Sequence, residues 1–128
     1  MAPELSLLVW AVVVAFVQML VAVTGAFLQV GLPTLVGNRE GLAPFTGWAG
    51  RAQRAHRNML ENLVLFAALV LVAVVAQKTN STTLAGAQVF FWARVAYAVV
   101  YLIGIPWLRT AVWTVSVIGL IMIFSQVL

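Results

Sequence analysis

The sequence predicts an all-α integral membrane protein, a four-helix bundle in a single domain. Three observations predict it. Of 128 residues, 64% are hydrophobic and only 8% charged, with a mean hydropathy of +1.09. No soluble domain of this size hides that much apolar surface. The apolar residues fall into four stretches, 5–31, 59–77, 84–105 and 111–128, each long enough with its flanks for one spanning helix. Between them lie most of the prolines and charges. The expected helices are 5–31, 48–77, 84–105 and 109–127.

The first helix carries only Gln18, Thr24 and Gln29 as interior polar groups, while Ala22, Gly25 and Ala26 permit close approach of a second helix. Met1-Ala2-Pro3-Glu4 lacks the positive region of a signal peptide, so this helix is expected to be retained. Pro33 ends or kinks it. The connection Thr34–Gly50 contains Gly37, Gly41, Pro44, Gly47 and Gly50 and reads as a structured loop. It is the longest loop, and long loops in compact proteins are often functional. The second helix runs to Gln77, followed by the polar turn Lys78–Thr83. The third ends at Pro106, and a short turn leads to Arg109 and Thr110 at the entrance of the fourth.

The net charge of +4 and pI near 10.8 raise the question of nucleic acid. The distribution argues against it. Arg39, Arg51, Arg54 and Arg57 lie in or near the first loop, and Arg109 follows the third helix. Four alternating helices put both places on one side, which the positive-inside rule makes cytoplasmic. Both termini and the Lys78 turn are then non-cytoplasmic. There are no cysteines, so neither disulfides nor a protein thiol enter the chemistry.

The second helix is where polar chemistry meets the bilayer. Leu63 to Ala76 offers only about 14 apolar residues, roughly 21 Å of helix. A hydrocarbon core of about 30 Å asks for roughly 20 residues. The span must therefore begin near Asn58, which puts Glu61 inside the hydrocarbon layer. Ionisable groups at that depth face partners or water and mark functional sites. Arg51, Arg54, Arg57, Asn58 and Glu61 share an arc of about 120°, with His56 on the other side. Headgroup anchoring explains Arg51 and Arg54. It does not explain Asn58 or Glu61.

Arg94, Tyr97 and Tyr101 on the third helix form the complementary stripe. Arg94 stands about 12 residues from Pro106, roughly 18 Å into the bilayer. An isolated charge there costs on the order of 3 kcal/mol. Glu61 is the acidic residue positioned to offset it, and a Glu61–Arg94 ion pair is expected. That pair has two readings: a structural tie between helices, or part of a binding site. Tyr101 suits a membrane-interface position, and Tyr97 lies about a turn deeper. Cations, an amide, a carboxylate and two phenols suit a small anionic polar molecule. One His and no Cys suit a metal poorly.

Arg54-Ala55-His56-Arg57-Asn58-x-x-Glu61-Asn62, then Phe66, Arg94-x-x-Tyr97-x-x-x-Tyr101 and Pro106-x-x-Arg109-Thr110 together resemble the MAPEG family, the membrane-associated proteins in eicosanoid and glutathione metabolism. The resemblance covers essentially the whole chain, and the helix-two motif is its most specific part. It implies a homotrimer with glutathione bound between subunits near the cytoplasmic face. It implies that Arg57, Asn58 and Glu61 hold glutathione, with Glu61 receiving the amino group. It implies further contacts from Arg94, Tyr97 and Tyr101, and from Arg39 to a glutathione carboxylate. By the same resemblance Arg109 stabilises the thiolate and Thr110 stands where a hydroxyl follows it. The second substrate implied is an apolar electrophile arriving from the lipid bilayer. Tyr97 stands where the prostaglandin synthase branch has His, so that activity is not implied. Two rivals remain at the sequence level, a small four-helix transporter and a non-catalytic membrane scaffold. The arginines around Glu61 argue against a proton-cycling carboxylate, and His56 reads as a packing or interfacial residue.

Overall fold

Proline and glycine divide the chain into its helices. The computed structural model describes residues 1–128 as α1 (Pro3–Val30), α2 (Leu32–Val36), α3 (Gly47–Val75), α4 (Ser81–Ile103) and α5 (Pro106–Val127). All but the short α2 are long and apolar enough to cross a membrane, and the chain is an integral, multi-pass membrane protein. Only 29 of 128 residues are buried. The exposed remainder includes Val12, Phe16, Leu20, Val64, Leu71 and Phe124, a surface suited to lipid or to other helices.

Pro33 is not itself the point where α1 ends; the break lies two residues earlier. α1 closes at Gly31, whose φ is 82°, and Pro33 sits in the first turn of α2, a short helix that lies inside the expected loop. Residues 37–46 then return to α3. Gln29 pins them to α1, accepting from the Thr46 N–H at 3.0 Å and donating to the Thr46 carbonyl at 3.2 Å. Phe45 is buried with Ala26 and Ala49.

Small residues set the helix spacings. A Cβ at Gly25 would stand 2.8 Å from the Ala49 Cβ, so α1 and α3 cross closely there. α4 and α5 form the most extensive helix pair in the chain. At its centre Gly86 faces Gly119 backbone to backbone: a Cβ on Gly86 would meet the Gly119 carbonyl oxygen at 2.8 Å, and one on Gly119 would meet the Gly86 oxygen at 2.7 Å. Within lipid, where apolar area drives association weakly, such close approach recovers dispersion and packing. The core between the long helices contains Met59, Phe66, Val70, Phe90 and Ile123, with the Phe66 and Phe90 rings stacked at 4.2 Å.

The two ends of the bundle are closed differently. At the end carrying the termini, the Asn80 carboxamide oxygen accepts from the Thr82 and Thr83 N–H groups at 2.9 Å, and the Thr83 hydroxyl accepts from the Asn80 N–H at 2.8 Å. This reciprocal cap starts α4. The buried Glu4 carboxylate lies 2.8 Å from the same hydroxyl, which ties α1 to α4. At the loop end, Gly104 takes the left-handed conformation (φ 93°) that lets α4 stop and α5 begin at Pro106. Arg51 donates to the Leu102 carbonyl at 2.9 Å and so caps α4 from α3.

Candidate functional site

The turn at Gly104 brings the start of α5 beside the loop ends of α3 and α4. Asn58 from α3, Tyr97 from α4, and Arg109, Thr110 and Trp113 from α5 line one open cleft of about 300 Å³. Four of these five are residues expected to be functional from sequence. Trp113, the fifth, carries no signal beyond its spacing from Arg109.

Behind the cleft lies Arg94, 1% exposed. The expected Glu61–Arg94 ion pair does not form. Arg94 instead donates Nη2 to the Asn58 Oδ1 at 2.8 Å, and its guanidinium lies over the Tyr97 ring at 4.2 Å. The reason is register. α3 and α4 place Asn58 level with Arg94 and bring Phe66 onto Phe90, so Glu61 stands nearly a turn beyond Arg94 and is exposed. Arg94 Nε and Nη1 are buried without any hydrogen-bond partner, a costly state for a charge.

This arrangement orients Asn58. Its Oδ1 accepts from Arg94 and, at 3.2 Å, from the Asn62 amide nitrogen. Arg94 has only donors, so the Asn58 oxygen must face it and the Asn58 NH₂ must face away. Those two N–H groups donate to nothing within the chain and belong to a residue that lines the cleft.

A cation–aromatic series continues toward the loop end. Tyr97 meets Tyr101 edge to face at 5.5 Å, and the Arg109 guanidinium lies 4.5 Å from the Tyr101 ring centre. Arg54 donates to the Tyr101 hydroxyl at 3.2 Å. Headgroup anchoring, the sequence-level account of Arg54, therefore misses its role. The signal available was its position one turn before Asn58 on the same face. Arg109 makes no side-chain hydrogen bond within the chain, so its donors remain for a ligand. Thr110 donates to the Pro106 carbonyl at 3.3 Å and keeps its oxygen lone pairs as acceptors.

Three expected residues stay apart from the cleft. Arg57 is exposed and makes no side-chain hydrogen bond. Glu61 is exposed. Arg39, in the left-handed region with φ 63°, donates to the Leu35 carbonyl at 2.9 Å. It lines a separate cavity of about 190 Å³ with His56, Gln53 and α1 residues. No three His, Asp or Glu side chains come together.

The cleft thus presents a free guanidinium, an oriented amide and a hydroxyl acceptor over two aromatic rings, next to an apolar surface. It can hold a polar anion and bring it to an apolar partner. Compared with protein families, residues 5–128 match the model described as the MAPEG family. Curated proteins and solved structures give no match.

Proposed function

The chain belongs to the MAPEG family, and from that premise we propose that it binds glutathione, activates the thiol and transfers it to apolar electrophiles from the bilayer. The observation that carries the reading is the cleft where Asn58, Tyr97, Arg109 and Thr110 converge, with the Arg109 donors unused. Asn58 donates its N–H groups to a peptide carbonyl or carboxylate of glutathione. Tyr97 and Trp113 form the aromatic wall, Tyr101 meets Tyr97 edge to face, and Arg94 and Arg54 hold Asn58 and Tyr101 in place. Glu61 takes the ligand's amino group, and Arg57 and Arg39 take its carboxylates.

The chemistry rests on Arg109. A thiol with a pKa near 8.5 is only a few per cent ionised at neutral pH, and the thiolate is the nucleophile. A guanidinium beside the sulfur favours the charged form. A drop of about two units, worth roughly 2.7 kcal/mol, makes most of the bound thiol thiolate. The released proton leaves to water, and Thr110 offers the sulfur a nearby hydroxyl. The thiolate then attacks the electrophilic carbon, forming a C–S bond as the leaving group departs or a strained ring opens. With a hydroperoxide it attacks oxygen instead, and a second glutathione completes the reduction, giving an alcohol, water and glutathione disulfide.

Glu61, Arg57 and Arg39 lie outside the cleft in one subunit, which supports a homotrimer with the site shared between subunits. The arginine-rich loop end is assigned to the cytoplasm, where glutathione is abundant, with both termini on the other side.

The test is the ultraviolet difference spectrum of the detergent-purified protein titrated with glutathione at neutral pH. A saturable thiolate band at one or fewer per subunit is expected. In Arg109→Leu the band should disappear while glutathione still binds. An unchanged band in that variant would remove Arg109 from the mechanism. Absence of both band and binding would favour a membrane scaffold.

A further inference from the structure

Arg109 makes no side-chain hydrogen bond within the chain, and its guanidinium rests on the Tyr101 ring face at 4.5 Å. Its place at the cleft is therefore set by where α5 begins. The Arg109 N–H donates to the Ile105 carbonyl at 3.0 Å, so Ile105 opens the helix, and no side chain caps it. Gly104 and Ile105 are the whole connection from α4. Packing holds this turn weakly, because Ile103, Ile105 and Trp107 are 63%, 42% and 87% exposed.

Arg51 of α3 reaches the turn from another helix. The sequence reads it as a headgroup anchor, yet its Nε donates to the Leu102 carbonyl at 2.9 Å. In a continuing helix that carbonyl would accept from the residue four positions on, which here is Pro106 and has no N–H. Arg51 supplies the missing donor. It is the only side-chain hydrogen bond from another helix into residues 102–109. A Cβ on Gly104 would meet Arg51 Cδ and Nε at 3.3 Å, so the same side chain also lies against the turn.

We propose that Arg51 is a positioning residue for the thiolate: by holding Leu102 and Gly104 it fixes the start of α5, and with it Arg109 at the cleft. This rests on the glutathione reading. Arg51 does not line the cleft, so it touches no reacting atom. It acts through Arg109, whose attraction for the sulfur falls with distance and with the entry of water. A displacement of about 1 Å is enough to matter at a reacting centre.

Two readouts test it. Arg51→Met keeps an unbranched stem against Gly104 and removes the donor. Hydrogen exchange of the detergent-purified protein needs no ligand. In Arg51→Met, amides of residues 100–109 should exchange about tenfold faster, as loss of one hydrogen bond implies, while those near Asn80 stay unchanged. The pH midpoint of the glutathione thiolate band should rise by about one unit. Arg51→Lys, which can still donate to Leu102, should restore most of both. Gly104→Ala changes no charge but strains the turn, where φ is 93°, and should also raise the midpoint. Unchanged exchange in Arg51→Met overturns the proposal whatever glutathione does. Faster exchange with an unmoved midpoint overturns it too. A midpoint that moves in Arg51→Met but not in Gly104→Ala would show that Arg51 acts by its charge and not by placement. Absence of the band in the unaltered protein removes the glutathione reading and this role with it, while the exchange data still show whether Arg51 holds the turn.

Discussion

Asn58 is the residue on which the polar cleft turns. Its oxygen is claimed by Arg94 and Asn62, and only its N–H groups remain for a ligand. Asn58→Ala should therefore weaken glutathione binding by about tenfold or more, in line with roughly 1.5–3 kcal/mol for a hydrogen bond to a charged group. Isothermal titration of the purified variant checks this. Asn58→Asp sharpens the point. The new carboxylate should pair with Arg94, keeping the fold, yet present no donor, so binding should fall at least as far as in the alanine variant. Retained affinity in Asn58→Asp would show that the amide hydrogens are not used. That Asn58 and Arg94 would need polar partners was legible, because neither belongs in hydrocarbon unpaired. Which group Arg94 meets was not. The outcome depends on about one turn of register between two helices, and apolar periodicity leaves that shift undetermined.

At the scale of elements, hydropathy and prolines located the four long helices, and Pro106 marked the turn between the last two. The short α2 was hidden because five residues carry no periodic signal, and Pro33, read as an end or kink of the first helix, instead occupies the first turn of a new one. The Gly86–Gly119 contact was also invisible: 33 residues separate two glycines that only the fold brings together. Either one alone reads as a tolerated interior glycine. Gly119→Leu should force α4 and α5 apart, because the atoms in the way are backbone and cannot swing aside. Overpacking costs about 1–3 kcal/mol where side chains can yield, and this position should reach or exceed that. Thermal unfolding in detergent should show a fall of several degrees or loss of the folded species. Asn80→Ala, which removes the α4 cap and the amide's hydrogen bond to Gln126 of α5 at 2.9 Å, should cost about 1–2 kcal/mol.

For the molecule as a whole, the polar residues divide into two groups that one subunit does not unite. Asn58, Tyr97, Arg109 and Thr110 share the cleft, while Arg39 lies with His56 across α3. The homotrimer reading predicts that Arg39 of one subunit approaches Glu61 or Arg109 of another. The chain has no cysteine, so paired single-cysteine variants report this cleanly. Subunits bearing Arg39→Cys mixed with subunits bearing Arg109→Cys should cross-link in the membrane with a short bifunctional reagent. The particle should weigh three times 13.8 kDa after correction for detergent. A monomer by mass, with no cross-link, would remove the shared site.

Every polar side-chain contact made by an arginine or lysine in this chain ends on a carbonyl, amide or hydroxyl oxygen and never on a carboxylate. Handling of the protein should reflect that. Ionic strength has little internal attraction to screen, so melting should barely move between low and high sodium chloride. A charged ligand, by contrast, supplies the missing counter-charge. At a hundredfold excess over its dissociation constant it should add about 2.7 kcal/mol by mass action. On the glutathione reading, a millimolar peptide thiol in the buffer should do more for the shelf life of the purified protein than any choice of counter-ion.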